Sequence, residues 1–447
     1  MRKRVCHWCG LIVGGTVLLA ISVLHAAAVP PSAEFLAAKQ SFLKEMKKSN
    51  PVARAAAVRA FGSVMHPGAA ELLLKRGFAD EDEGVRLATR AALGKLADDS
   101  LVNRFLVDEL KRSLRKTMAT EVSVELLRAL LVSNVEDRQS ELLTFIDEYL
   151  ATPKGNLLVP MTVIDDFAEQ GTADAVRSVT LLAKASVFET HFGYRRCVVQ
   201  AMTKIRRPEA VDFLIKLLPK TDGLIQYDVV HYLTALTKQK FRGNDMQWAE
   251  WWKANRDSFS FPAADVALVE EEVNEERPTY YRIPICAKRI VFVLDTSGSM
   301  RGQPIEAAKQ ALVKAIDSLP EVVNFDVVMF DIHAATWHPR LVPATEDAKK
   351  TASRAVISRG LAMGTASHAA LMAAFSLDPE AIYFLSDGEP TDGPPVQIVN
   401  AASQLNRTRR VSIHTIGVVT TAHGGEGLTL FMKPLAEQNY GTFQLIE

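Results

Sequence analysis

The carboxyl-terminal part of the chain alternates short apolar runs with amphipathic stretches. From Lys288 onward, the pattern predicts strands at 290–294, 325–330, 335–341, 381–385, 411–416 and 441–446. Between most of them it predicts helices, at 304–318, 345–358, 366–376, 396–407 and 428–437. Near-continuous apolar strands separated by helices are typical of a mostly parallel sheet that is covered on both faces. The short connection at 330–333 indicates one antiparallel hairpin at the edge of that sheet.

The amino-terminal part, from Pro31 to about Asp257, is a succession of helical patterns rich in Ala, Leu, Val and Arg. Segment 54–62 aligns with segment 86–94, and each opens with an arginine and closes with a glycine. Glycines are expected where helices pack closely and end. The pattern resembles HEAT-like repeats, which stack into a solenoid. The predicted fold is therefore an all-α HEAT-like solenoid followed by a doubly wound, Rossmann-like α/β domain.

Composition and charge restrict the class of protein. The chain has 447 residues, 48% apolar and 23% charged, which is typical of a globular protein. Lysine plus arginine equals aspartate plus glutamate, 52 against 52, so no overall field attracts nucleic acid or anionic lipid. Any electrostatic role must be local, and we expect no nucleic-acid partner.

The first 28 residues have the pattern of a secretory signal peptide. Residues 2–4 are basic, residues 11–24 are mostly apolar, and the alanines at 26–28 suit a signal peptidase. The alternative is an uncleaved anchor, because residues 10–29 could just span a bilayer. Either interpretation predicts that the rest of the chain is exported to the periplasm, the cell surface or the outside.

An acidic segment punctuated by prolines separates the two halves. It contains Pro262, Pro278 and two glutamate clusters, and a solvated linker is favoured over a ligand-binding segment. The predicted organisation is a signal peptide, a helical repeat domain, an acidic linker and an α/β domain, at 1–28, 29–257, 258–287 and 288–447.

The sequence Asp-Thr-Ser-Gly-Ser directly follows the first predicted strand. Asp295, Ser297 and Ser299 offer oxygen atoms at a spacing of two, in a loop at the carboxyl end of a strand. In open α/β sheets, ligands bind at this edge. Carboxylate and hydroxyl oxygens without His or Cys favour Mg²⁺, Mn²⁺ or Ca²⁺ over zinc or copper. The motif therefore predicts a site for a hard divalent cation.

The same motif resembles the Asp-x-Ser-x-Ser signature of von Willebrand factor type A (VWA) domains. Gly-Thr at 364–365 and Ser-Asp-Gly at 386–388 are similar to the second and third metal loops of that family. The resemblance implies a metal-ion-dependent adhesion site (MIDAS), in which the two serines bind Mg²⁺ directly and Thr365 binds directly or through water. It also implies that Asp295 and Asp387 hold coordinated waters and balance part of the charge.

In this family an open coordination position of the metal accepts a carboxylate from a partner protein. The whole chain resembles a bacterial exported protein that joins HEAT-like repeats to a VWA domain. The predicted function is therefore protein–protein interaction or adhesion, without enzymatic activity, through an acidic side chain of the partner. The helical repeats would act as the scaffold.

Three alternatives remain open. Asp295 and its serines could form only a capped turn. A metal-dependent hydrolase could use Ser297 or Ser299 as its nucleophile, although no base is visibly placed and no Gly-x-Ser-x-Gly elbow surrounds them. The chain could also be a subunit of an envelope assembly or a chaperone-like complex. Three polar residues near the motifs are interpreted as solvated loop carboxylates or a helix-face histidine: Glu389, Asp392 and His368.

Overall fold

The computed structural model describes residues 32–115, 120–133, 135–152, 155–263, 277–388, 390–420 and 425–446. The predicted signal peptide and Glu389 lie outside these ranges. The chain folds as two compact units, one ending at Ala92 and the other beginning at Leu93. Within the described ranges, no helix combines the length and apolar character needed to cross a lipid bilayer.

The described amino-terminal part is helical throughout, as predicted. Side-chain caps set several helix starts, and Ser32, Asn50, Asp99 and Thr172 each accept a backbone N–H of the first turn. The helices are α1 (Ala33–Glu45), α2 (Pro51–Phe61), α3 (Pro67–Leu72), α4 (Glu83–Leu96), α5 (Ser100–Leu114), α6 (Thr120–Val132), α7 (Glu136–Leu150), α8 (Leu158–Gln170), α9 (Ala173–Leu182), α10 (Val187–Thr190), α11 (Phe192–Lys204), α12 (Pro208–Leu217), α13 (Gly223–Thr237) and α14 (Asp245–Asn255). A π-helical turn extends α3, and 3₁₀ turns follow α12 and α14.

Arg54 and Arg86, which open the two similar segments, make the same backbone contacts. The Arg54 guanidinium donates to two carbonyl oxygens, six and five residues earlier, at 2.9 Å each. The Arg86 guanidinium also donates to carbonyls six and five residues earlier, at 2.9 and 2.7 Å. Gly62 ends α2, and a Cβ added to it would lie 2.4 Å from that of Ala92. Gly94, in contrast, lies inside α4 rather than at its end.

The carboxyl-terminal part is a mixed α/β structure. Its strands are β1 (Thr279–Tyr280), β2 (Ile283–Pro284), β3 (Arg289–Asp295), β4 (Asn324–Phe330), β5 (Ala334–Thr336), β6 (Val342–Pro343), β7 (Ala381–Ser386), β8 (Ser412–Val418) and β9 (Phe443–Ile446). Its helices are α15 (Gln303–Asp317), α16 (Glu346–Ser358), α17 (Ser367–Ser376), α18 (Pro395–Asn406) and α19 (Gly425–Glu437).

The main sheet has the order β5-β4-β3-β7-β8-β9, with β6 also paired to β4. The strands β4, β3, β7, β8 and β9 are parallel, whereas β5 and β6 run antiparallel to β4. The predicted mostly parallel sheet and its antiparallel edge hairpin are both confirmed.

The predicted strand at 335–341 is wrong, because two short strands, β5 and β6, replace it. Pro339 lies between them and has no N–H to donate to a strand partner. The N–H of His338 instead donates to the Asp326 carboxylate at 3.2 Å. The chain therefore pairs with β4 twice, first through β5 and then, after the break at Pro339, through β6.

Both faces of the sheet are apolar, which explains why the predicted strands lack a polar alternation. On β3, Ile290, Phe292 and Leu294 pack in a core with residues of α15 and α16. Val291 and Val293 pack on the other face with residues of α17, α18 and α19. Packing on both faces thus fixes the position of each strand, including its carboxyl end.

The end of the predicted linker packs against this sheet. The strands β1 and β2 form a hairpin, whose two turn residues, Tyr281 and Arg282, have positive φ angles of 48° and 66°. Tyr280 is buried, with its ring 5.3 Å from the ring of Phe292 in an edge-to-face contact. Its burial anchors the chain just before β3.

The helical region contacts the sheet domain at the amino ends of the strands. Arg410 precedes β8, and its backbone oxygen accepts a hydrogen bond of 2.6 Å from the Arg196 guanidinium on α11. The Arg410 guanidinium forms an ion pair with Asp165 and donates to Gln200 Oε1 at 3.2 Å. Both arginines lie over the ring of Tyr440, at 5.6 and 5.3 Å. A buried polar network therefore joins helices α8 and α11 to the strand starts.

We predict that Gly193→Ala on α11 destabilises the protein. A Cβ at this position would lie 2.1 Å from the backbone oxygen of Thr408. The clash should outweigh the gain in helix propensity of about 1 kcal/mol and lower the free energy of unfolding by about 1–3 kcal/mol. Thermal unfolding followed by circular dichroism measures the change. The control is Gly84→Ala on α4, where the nearest atom is a side-chain oxygen of Asp82 at 3.1 Å. A Gly193→Ala variant with a Tm above wild type would contradict the observed contact.

Candidate metal site

The first predicted metal loop begins where β3 ends. Asp295 Oδ1 accepts the N–H of Ser297 at 2.8 Å, which turns the chain sharply after the strand. A 3₁₀ turn follows at Gly298–Met300, and the Met300 side chain is buried in the core. This anchor holds the loop so that the hydroxyl oxygens of Ser297 and Ser299 lie 3.0 Å apart.

The third predicted loop begins where β7 ends, and hydrogen bonds join it directly to the first. The Ser386 hydroxyl donates to Asp295 Oδ2 at 2.5 Å. The Ser299 hydroxyl donates to Asp387 Oδ1 at 2.9 Å, and the Thr420 hydroxyl donates to Asp387 Oδ2 at 2.9 Å. Four of the five predicted metal residues therefore lie in one network: Asp295, Ser297, Ser299 and Asp387.

The second loop, which carries Thr365, reaches this network through its backbone. Ala362 forms an isolated parallel bridge with Ser297, and its N–H donates to the backbone oxygen of Thr296 at 3.1 Å. Thr365 is buried, and its N–H donates to the Thr391 hydroxyl at 2.9 Å. The structure thus brings the loop of Thr365 against the first loop, and two residues separate Thr365 from Ala362 at the point of contact.

Asp295 and Asp387 are both fully buried, with 0% of each residue exposed. Burial raises the pKa of Asp295 to about 6, and the nearby Asp387 charge adds to this rise, while hydrogen bonds from Ser386 and Ser297 oppose it. Above about pH 6 the ionised carboxylate therefore costs folding free energy, and this cost disappears as the pH falls towards the value of an unfolded aspartate. In the described part of the chain, neither carboxylate has an ion-pair partner.

The donor set fits a hard cation. No group of three or more His, Cys, Asp and Glu side chains that could hold a metal occurs among the described residues. The network offers the carboxylates of Asp295 and Asp387 and the hydroxyls of Ser297 and Ser299. These oxygens suit an Mg²⁺ site that keeps several waters. The network does not offer the nitrogen and sulfur ligands of a structural zinc site.

Several residues that shape the site were not identified from the sequence. Ser386 could have been identified from the sequence, because it directly precedes Asp387 in the third motif. The ion pair of Asp331 and Arg359, at 2.5 Å, has no local signal because the two residues are far apart in sequence. Asp331 follows β4, and its backbone oxygen accepts the N–H of Ala366 at 2.7 Å, so this pair borders the second loop.

Two of the nearby polar residues can be placed. Asp392 is exposed, but its carboxylate accepts the backbone N–H groups of His368 and Ala369, at 3.2 and 2.9 Å. It therefore caps the first turn of α17 instead of being only a solvated loop carboxylate. His368 is half-buried on α17. Glu389 is not described.

Comparisons with known proteins identify the sheet domain. Residues 288–445 match the family model described as von Willebrand factor type A domain. The chain is 33% identical over 167 residues to inter-alpha-trypsin inhibitor heavy chain H4 of Homo sapiens, covering 34% of this chain and 18% of that protein. It is 30% identical over 173 residues to heavy chain H1 of Homo sapiens, covering 36% and 18%. This chain thus spans less than a fifth of the length of either relative.

Among solved structures, the chain is similar to von Willebrand factor type A from Catenulispora acidiphila. The two are 24% identical, with a TM-score of 0.32, over 36% of this chain and 38% of that one. The match to the family model and the identity to the heavy chains show that the carboxyl-terminal part is a VWA domain.

We predict that Arg359→Met loosens the second loop. The substitution leaves the Asp331 carboxylate, whose side chain is 8% exposed, without its cation. An unsatisfied buried acceptor costs about 1–3 kcal/mol. Hydrogen exchange should therefore become faster at the amides of Ala362 and Ala366.

The control for this prediction is Arg354→Met on the exposed face of α16. Its exchange pattern should match wild type. Combining Arg359→Met with Asp331→Asn should restore part of the lost protection, because the neutral amide does not need the guanidinium. Unchanged exchange at both alanine amides in Arg359→Met would show that the ion pair does not hold the loop.

Proposed function

We propose that the VWA domain holds one divalent cation at Asp295, Ser297, Ser299, Thr365 and Asp387. Mg²⁺ is the first choice, and Mn²⁺ or Ca²⁺ are alternatives. The observation that carries the proposal is a pair of fully buried carboxylates linked through serine hydroxyls, with no ion pair to either in the described residues.

A neighbouring carboxylate strengthens this argument. Asp331 lies at the same edge of the sheet, directly after β4, and it is neutralised by Arg359. Asp295 and Asp387 follow the same arrangement on β3 and β7, yet their described partners are hydroxyls and one backbone N–H. Buried charges are normally paired or bound to a metal. A cation is therefore the partner that best fits these two carboxylates.

The proposed function is capture of an acidic side chain from a partner protein. A divalent cation would supply a strong Lewis acid. Two ionised carboxylates match its formal charge, but the oxygens that the resemblance implies as direct ligands are neutral hydroxyls, so an open coordination position stays electrophilic. Ser297 and Ser299 contribute neutral oxygens, so they orient a ligand without adding negative charge. Thr365, on the loop bonded to Thr391, would hold the third side of the site. A partner carboxylate would occupy the open coordination position at the exposed edge.

Binding is favoured over hydrolysis by the partners of the serines. The Ser297 hydroxyl contacts the Ser299 hydroxyl, which in turn donates to a carboxylate. In the part of the chain that the structure describes, no imidazole or amine is hydrogen-bonded to either serine. An imidazole or amine is the usual base for a serine nucleophile, and the Asp387 carboxylate that accepts from Ser299 belongs to the proposed metal site. We therefore propose a non-enzymatic role.

We further propose an exported protein in which residues 29–257 form HEAT-like repeats that serve as a scaffold. The matching contacts of Arg54 and Arg86 support equivalent positions in neighbouring repeats. The proposed signal peptide at 1–28 would direct the chain to the envelope or beyond. Docking within an envelope assembly is an alternative use of the same metal site, because it needs the same acidic partner chemistry.

We predict that Mg²⁺ stabilises the full chain and that Asp387→Asn removes this effect. A ligand at one hundred times its Kd stabilises the folded state by about 2.7 kcal/mol. In EDTA, the variant should be as stable as wild type or more stable, because one of two neighbouring buried charges is gone. Thermal unfolding with and without Mg²⁺ measures the shift, and titration calorimetry with Mg²⁺ measures binding directly.

The matched control for this experiment is Asp392→Asn. This substitution removes a carboxylate near the site that caps α17, so it should lower stability slightly while keeping the Mg²⁺-dependent rise in Tm. An equal Mg²⁺ response in Asp387→Asn, or no calorimetric binding of Mg²⁺, Mn²⁺ or Ca²⁺ to wild type, would overturn the proposed metal site.

A further inference from the structure

Two large apolar side chains are exposed at the metal edge of the VWA domain. Met363 is 81% exposed and Ile332 is 59% exposed. Met363 lies in the second loop, two residues before Thr365, and Ile332 lies in the turn that follows β4. Exposed apolar side chains scattered singly are ordinary, whereas neighbours beside a binding site indicate a contact surface.

The backbone around both residues is fixed. Ala362 forms a β-bridge with Ser297. Gly364, two residues later, has a φ angle of +83°. A Cβ added to Gly364 would lie 3.2 Å from the Cα of Ile332, so the second loop and the β4 turn are in close contact. Met363 thus lies between Ala362, which contacts the first loop, and Gly364, which contacts Ile332. The two side chains belong to one surface, which we call the apolar shelf.

The charges next to the apolar shelf favour an acidic ligand. Asp331 is paired with Arg359, and the Asp392 carboxylate accepts two backbone N–H groups. Arg301 is exposed two residues after Ser299. With a cation in the site, this edge would present an electrophilic metal directly beside apolar surface. The complementary ligand combines a carboxylate with an adjacent apolar group.

We propose that the apolar shelf of Ile332 and Met363 receives a large apolar side chain next to the partner's acidic residue. The occupant is an extended protein segment in which Asp or Glu has Leu, Ile, Met or Phe within one or two positions. Methionine adapts its shape to different apolar partners, so Met363 suits a contact with several such side chains. This inference rests on the proposed function, since the carboxylate at the metal fixes the register of the segment.

The test is selection of random peptides displayed on phage against the full chain in Mg²⁺, with elution by EDTA. Wild type should enrich peptides that carry an acidic residue with a large apolar neighbour. The variant with both Ile332→Ser and Met363→Ser should still enrich acidic peptides that elute with EDTA, but without the apolar preference. For a synthetic peptide selected on wild type, Kd should rise about tenfold or more in this variant.

The matched control is Met246→Ser, since Met246 is 75% exposed on α14, a helix outside the VWA domain. It should select the same peptides as wild type. The Mg²⁺-dependent rise in Tm reports whether each variant keeps a folded site, and the single Met363→Ser variant replaces the double variant if that rise is lost.

The outcomes separate the two proposals. Acidic peptides without an apolar neighbour, or the same apolar preference in the Ile332→Ser and Met363→Ser variant, would overturn the apolar shelf and leave the metal site intact. Peptides without an acidic residue, or binding that EDTA does not release, would overturn the proposed function and the apolar shelf with it.

Discussion

The parallel pairing of β4, β3 and β7 is the constraint on which the candidate site depends. Their register places Asp295 opposite Phe330 and Leu294 opposite Leu385. The strands therefore end together, and the residues that follow them meet at one edge. This edge gathers three acidic residues at strand ends: Asp295, Asp331 and Asp387. Their proximity follows from the sheet itself, and the loops only determine how each charge is satisfied.

The three carboxylates are satisfied in different ways, and this difference indicates their roles. Asp331 pairs with Arg359, which closes it to further ligands and ties the β4 turn to the second loop. Asp295 and Asp387 accept hydrogen bonds from neutral hydroxyl groups. The lone pairs of these hydroxyl oxygens can still face a cation. Two like charges buried without a cation are unfavourable. Apolar packing on both faces of the sheet fixes the strand ends, and it thereby holds the two carboxylates in place.

Much of this could be predicted from sequence because the signals are local. The apolar run at 290–294 predicts a strand that the structure confirms, and the Asp-x-Ser-x-Ser spacing predicts a metal loop directly after it. Thr365 and Asp387 follow from motifs that lie beside their own helix or strand. The Arg359 partner of Asp331 and the capping of α17 by Asp392 could not be predicted, because each depends on a tertiary contact without a fixed spacing. The break in the predicted strand at 335–341 had a local signal in Pro339, but the prediction followed the apolar pattern instead.

The amino and carboxyl ends of the parallel strands differ in what they contact. At the amino ends of the strands, Arg196 and Arg410 bury their guanidinium groups against Tyr440 and join the helical region to the VWA domain. These arginines hydrogen-bond across the contact, so separating the two parts would leave buried polar groups without partners. The helical region between α8 and α11 is therefore fixed to the sheet at the edge opposite the proposed metal loops. A ligand captured at the carboxyl edge would therefore meet a domain whose orientation on these helices is already set.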